Sequence, residues 1–190
     1  MEEDRQEVYV IGGKISHVKL PSKIIEELDV WKKECDKIKN HPLSFLKNHE
    51  NAGSLGNFYQ TSVPYNLVDN SFWLAFTLRC CAQLYGGVHK DYHLRTFEGH
   101  FDNDIWINYS YKGNSNPVHD HKGTCSGVIY YSNKDTPTIF NDDNIKFNGR
   151  KGDMIIFPSY LKHHVEKQED ESERITFAFN INYEDSNARS

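Results

Sequence analysis

The stretch VHDHKG, residues 118–123, sets His119, Asp120 and His121 side by side just ahead of an apolar run. Two chemistries fit it: a pair of neutral imidazoles sharing a metal ion, or a polar turn that happens to contain histidine. Along a β-strand, residues i and i+2 point the same way. His119 and His121 can therefore face one point while Asp120 faces the other side. A third ligand is available in PSYLKHHVEK, where His163 or His164 follows DMIIFP, a strand whose unbroken apolar run indicates burial on both faces. The two histidines diverge if the strand continues, so one of them is the ligand. Imidazole donors suit Fe, Zn, Cu or Ni. His17, His41, His49, His89, His93 and His100 fall in helix or loop contexts and read as surface or locally hydrogen-bonded groups.

The elements that must hold such a site can be read from the rest of the chain. It has 190 residues, the span of one domain, with a net charge of -5 and 13% aromatic residues. The sequence pI of about 6.0 and the mean hydropathy of -0.72 describe a soluble chain without the basic excess that duplex nucleic acid would require. No apolar run is long enough to cross a bilayer, and the acidic start MEEDRQEVYV is not that of a signal peptide. Cys35, Cys80, Cys81 and Cys125 form no CxxC and no evident disulfide framework, which points to reduced thiols and a cytoplasmic location.

EVYVIGG reads as a strand ending in a glycine turn. PSKIIEELDVWKKECDKIKN has the periodicity of an amphipathic helix, and DNSFWLAFTLRCCAQLYGG reads as a second helix, capped by Asn70 or Ser71 and stopped by Gly86-Gly87. The stretch between them, from His41 to Thr61, reads as loop. From about residue 90 the pattern changes to short β-branched and aromatic segments separated by turns: DIWINYSYKG, CSGVIYYSN, PTIFND, IKFNG, DMIIFPS, HHVEKQ and RITFAFNINY. Seven strands of this kind make a mainly β sandwich or barrel, with the helices of residues 1–100 supporting one sheet and the core in residues 101–184. QEDESE reads as a charged hairpin tip and DSNARS as a frayed tail.

The segments NPVHDHKGTCSGVIYYSN, GDMIIFPSYLKHHVE and ERITFAFNINY together resemble the 2-oxoglutarate- and Fe(II)-dependent oxygenases, closest to a small branch found in bacteria and phages. The resemblance covers about residues 103–184 and implies a double-stranded β-helix, or jelly roll, using Fe(II), 2-oxoglutarate and O2. It places the first metal ligand on His119 and the distal one on His163, two before Val165. The superfamily's usual carboxylate ligand, two after the first histidine, falls on His121, so the resemblance implies either an all-histidine set or a site into which Asp120 twists. Strand parity favours His121. The resemblance also puts Arg174 against the distal carboxylate of the co-substrate, with Thr176 beside it, Tyr131 (or Tyr130) completing the pocket, and Asn108 toward the co-substrate's other end. The alternative for Arg174 is a surface salt bridge with Glu171 or Glu173.

The cupins share part of this grammar. GNSNPVHDH fits their G-x5-H-x-H opening, but the glutamate expected soon after His121 is missing, and a cupin has no need of Arg174. The alternative function is therefore a cupin-like metalloprotein that does not use 2-oxoglutarate. The substrate expected for the oxygenase is a small molecule or peptide, and the apolar faces of the N-terminal helices leave room for a homodimer.

Overall fold

The computed structural model describes residues 8–40, 58–94 and 104–184, apart from residues 134 and 143. The expected loop between the helices lies largely outside the described residues, as do His41, His49, His100 and the C-terminal tail.

Among the described residues, twelve strands form two antiparallel sheets. The first strands are β1 (Val8–Ile11), β2 (Ile15–Lys19), β3 (Tyr59–Ser62), β4 (Tyr92–Leu94), β5 (Ile105–Ser110) and β6 (Asn116–His119). They are followed by β7 (Cys125–Tyr130), β8 (Thr138–Phe140), β9 (Ile145–Phe147), β10 (Asp153–Pro158), β11 (His163–Val165) and β12 (Arg174–Tyr183). The larger sheet runs β1-β2-β10-β7-β12-β5-β3, with β4 also on β12; the smaller runs β6-β11-β8-β9. This is the mainly β, jelly-roll architecture the sequence implies. The first hundred residues contribute strands to the large sheet as well as helices. The sequence reading missed β2, β3 and β4 because each is short and lacks a clean alternation of its own.

Two main helices, α1 (Ser22–Lys39) and α3 (Phe72–Tyr85), cover one face of the large sheet, with a single turn α2 (Tyr65–Val68) before α3. Helix α1 buries Ile24, Leu28, Trp31 and Cys35, spaced at close to one turn each. Helix α3 starts where the Ser71 side chain accepts from Leu74 N at 3.0 Å and stops at Gly86, whose φ of 85° favours glycine. The Glu27 carboxylate on α1 accepts from the N–H groups of Phe72 and Trp73, 2.8 Å each, and so ties one helix to the N-terminus of the other.

Beneath the helices, Trp31 meets Trp73 edge-on at 5.4 Å and Phe177 at 6.1 Å, and Trp73 meets Phe179 at 5.1 Å. Each such side chain contributes roughly 1.5–3 kcal/mol by leaving water. A second, smaller core lies between the sheets and includes Ile15, Tyr130, Phe140, Ile155 and Phe157. Strand β10 feeds both cores, Met154 and Ile156 into the first and Ile155 and Phe157 into the second, which explains its unbroken apolar run. Gly149 is required by close approach: a Cβ there would fall 2.1 Å from the Tyr130 ring. The four cysteines are free and buried, with the Sγ atoms of Cys81 and Cys125 3.5 Å apart.

Candidate metal and co-substrate site

The open half of the sandwich holds a cavity of about 330 Å³. His119 ends β6 and His163 begins β11, and the two residues are directly paired across the small sheet. Their rings lie 4.4 Å apart. His121 follows the end of β6 and reaches the same point from the loop, held by its backbone N–H on Ser159 O at 2.9 Å and by the Trp106 ring at 5.9 Å. His121 reaches this point, as strand parity expects, but for a different reason: a loop, not a continuing strand, aims it. The candidate ligand atoms of His119, His121 and His163 all lie within 4.8 Å of one another, a set able to hold a metal ion. Asp120 is exposed beside them and is not part of this set.

Protonation favours metal binding. His119 Nδ1 lies 2.8 Å from Pro117 O, and His163 Nδ1 lies 2.9 Å from Leu161 O. A carbonyl only accepts, so each Nδ1 carries the hydrogen and each Nε2 keeps its lone pair. Burial drives both imidazoles toward the neutral form, with His163 pushed down to about 4 by burial and then by the neighbouring His119. Three imidazole donors fit a borderline divalent ion such as Fe(II) or Zn(II). His164 faces away, and its Nδ1 donates to Asn141 Oδ1, 2.9 Å distant.

Arg174 opens β12 and is 5% exposed. Among the described residues no carboxylate pairs with it. Glu173 instead binds Lys39 at 2.7 Å, and Glu171 binds Lys112 at 2.6 Å, which removes the surface salt bridge as an explanation. Burial pulls the guanidinium below its ordinary value, and the nearby Tyr130 opposes this. The Tyr130 ring centroid lies 5.8 Å from the guanidinium carbon, and the Tyr130 hydroxyl donates to Thr138 Oγ1 at 2.7 Å. Thr176, on the same face of β12, accepts from Asn108 Nδ2 at 3.2 Å, and Asn108 Oδ1 accepts from Gln60 Nε2 at 2.8 Å. Arg174, Thr176 and Asn108 thus line the cavity together with the three histidines.

Tyr131 does not. It lies on the helix-covered face, its ring against Phe177 and its hydroxyl donating to Asp29 Oδ1 at 2.6 Å. Tyr131 shares the strand parity of Ile129, and Ile129 belongs to the core under the helices. In this sheet the apolar parity points away from the cavity, so the other tyrosine, Tyr130, faces in. The sequence reading also missed Gln168 and Trp106, both of which line the cavity. Gln168 is hidden in a run that reads as a charged tip, yet it is buried. Phe58 and Gln60 line the cavity while Tyr59 between them packs on the core, which a two-residue alternation could have revealed.

A family model described as "Putative 2OG-Fe(II) oxygenase" matches residues 133–180, the stretch that carries His163, Arg174 and Thr176. No curated protein sequence matches the chain. Among solved structures, a viral collagen prolyl hydroxylase from Paramecium Bursaria Chlorella virus-1, in complex with 2-oxoglutarate, is 15% identical with a TM-score of 0.58, covering 90% of this chain and 96% of its own. A Pseudomonas putida prolyl-4-hydroxylase is 14% identical with a TM-score of 0.57, covering 90% and 93%. HygX from Streptomyces hygroscopicus, with nickel and 2-oxoglutarate bound, is 11% identical with a TM-score of 0.58, covering 90% and 83%. These likenesses establish the shared fold, and the family model matches the stretch that runs from before β8 into β12.

Proposed function

We propose that the protein is a non-haem Fe(II) dioxygenase that couples the oxidative decarboxylation of 2-oxoglutarate to hydroxylation of a second molecule. Arg174 carries this reading: a buried guanidinium without a carboxylate partner among the described residues, in the cavity that holds three converging histidines. Keeping such a charge out of water costs several kcal/mol unless an anion joins it. A planar guanidinium grips a carboxylate through two parallel hydrogen bonds, which lysine cannot copy.

His119, His121 and His163 would hold Fe(II), with Arg174 taking the distal carboxylate of 2-oxoglutarate. Thr176 Oγ1 already accepts from Asn108, so its own hydrogen is left to donate to the same carboxylate. Tyr130 supports the guanidinium from beneath. When bound, Fe(II) and 2-oxoglutarate supply the oxidising power that converts a C–H bond to C–OH with O2. The protein's part is to fix the neutral tautomers, seat the acid and keep water from the interior. The viral prolyl hydroxylase and HygX, both solved with 2-oxoglutarate, support the reading through the common fold. The cupin alternative gives Arg174 nothing to bind.

The test is anaerobic binding of 2-oxoglutarate to Fe(II)-loaded protein, followed by O2-dependent release of succinate. Saturable binding that Arg174→Lys weakens at least tenfold is expected. Equal binding by that variant, or none by the parent protein, overturns the proposal.

A further inference from the structure

The three candidate ligands are not held alike. His119 and His163 sit on strands that pair with each other, so the small sheet fixes both. His121 comes from the loop between β6 and β7, and that loop is fastened to Ser159 at two points. Ser159 O accepts from His121 N at 2.9 Å, and Ser159 N donates to Thr124 O at 3.3 Å. The loop also packs closely against Ser159 and β12: a Cβ on Gly123, whose φ is 123°, would fall 3.2 Å from Ile181 O and 3.5 Å from Ser159 Oγ. The placement of Ser159 therefore governs where the His121 imidazole points.

Ser159 in turn ends a ladder of polar side chains. The ladder crosses the large sheet from the end of β10, through β7 and β12, to the residue before β5. Ser159 Oγ lies 2.8 Å from Ser126 Oγ, Ser126 Oγ donates to Asn180 Oδ1 at 2.6 Å, and Asn180 Nδ2 donates to Asp104 Oδ2 at 2.8 Å. All four residues are buried. The direction of each hydrogen follows from the far end. A carboxylate oxygen accepts, so the Asn180 amide turns its N–H groups to Asp104 and its oxygen to Ser126. Ser126 gives its one hydrogen to that oxygen, and the hydrogen between the two serines is then donated by Ser159. A buried network satisfied in this way holds its members in one arrangement. Resting on the three histidines as a metal site, we infer that Ser126, Asn180 and Asp104 are positioning residues for the metal. Acting through Ser159, they hold the loop so that His121 meets the point set by His119 and His163.

The test titrates the metal-free full chain with Co(II) alone, followed by calorimetry and by the visible absorption of the bound ion, which reports its donors and their geometry. Ser126→Ala should weaken Co(II) binding about tenfold, as expected for a group that orients a metal ligand, and shift the bound spectrum toward that of His121→Ala. Asn180→Ala should do the same from further down the ladder. Placed in the His121→Ala background, Ser126→Ala should cost less than about twofold, because the ladder then has no ligand to place. An equal loss in that background marks a general structural role and overturns the inference. Undiminished Co(II) affinity of Ser126→Ala with all three histidines present overturns it as well. If Ser126→Ala does not fold, Ser159→Ala breaks the same rung from its other side, keeps both peptide groups that hold the loop, and carries the same cycle with the same outcomes. Absence of Co(II) binding by the unsubstituted protein overturns the metal site and this inference together, whereas a failed cycle on a protein that binds Co(II) overturns the inference alone.

Discussion

Along β12, Ile175, Phe177, Phe179 and Ile181 enter the core beneath α1 and α3, while Arg174, Thr176 and Asn180, one residue out of step, are buried on the opposite face. Both sets are almost fully removed from solvent, yet they face different problems. The helix-side residues gain free energy simply by leaving water. The cavity-side residues lose hydration and recover it only in part, through Asn180 Nδ2 on Asp104 Oδ2 at 2.8 Å or Ser126 on Asn180 at 2.6 Å, with Arg174 paired to no carboxylate among the described residues. One strand thus packs a core on one side and lines the cavity on the other, and substitutions should separate stability from the proposed function.

The largest effect is expected on the helix side. Trp73→Ala removes a ring that touches both Trp31 and Phe179 and should destabilise the fold by about 3–5 kcal/mol in denaturant titrations. If it leaves stability intact, the division between the faces fails. Next, His163→Ala should abolish stoichiometric Fe(II) binding while retaining most of the fold, whereas His121→Asp should keep the ion because it restores a carboxylate donor at that point; calorimetric metal titration decides both. Arg174→Leu should lose 2-oxoglutarate affinity by at least 100-fold and yet leave the ligand-free protein as stable as before or slightly more so, by about 1 kcal/mol, since a buried unpaired charge disappears. A marked fall in melting temperature would show that the guanidinium is structural. Smallest is Tyr131→Phe, which deletes the hydrogen bond to Asp29 and should cost about 0.5–1.5 kcal/mol with no change in 2-oxoglutarate affinity.

The same contrast explains what could be read from the sequence. The α1 stripe of Ile24, Leu28 and Trp31 and the apolar run of β10 are signals that their own residues carry, and both elements form where expected. The three histidines come together because β6 and β11 are neighbours, although His121 owes its position to Ser159 and Trp106, which no local spacing announces. The choice between Tyr130 and Tyr131 stayed open because parity along β7 says which residues share a face but not which face is inside. With helices outside and a polar cavity within, apolar and inward are opposite directions. Gln168 was missed for a related reason: its acidic neighbours are exposed, and only the fold of the β11–β12 loop turns this one amide under.

The pairing of β2 with β10 has a consequence for how the chain is made. His17 and Asp153, joined at 2.9 Å, stand 136 positions apart. At ribosomal speeds of about 5–20 residues per second, the stretch between them takes on the order of ten seconds to emerge. Through that interval β2 has no partner on its inner edge, and α1 has no sheet of β10, β7 and β12 to lie on. The nascent N-terminal third must therefore wait, its apolar stripe uncovered, for the last strands to arrive. Folding of this enzyme is a late and largely simultaneous event, and the interval before it is when the chain most needs shelter from aggregation.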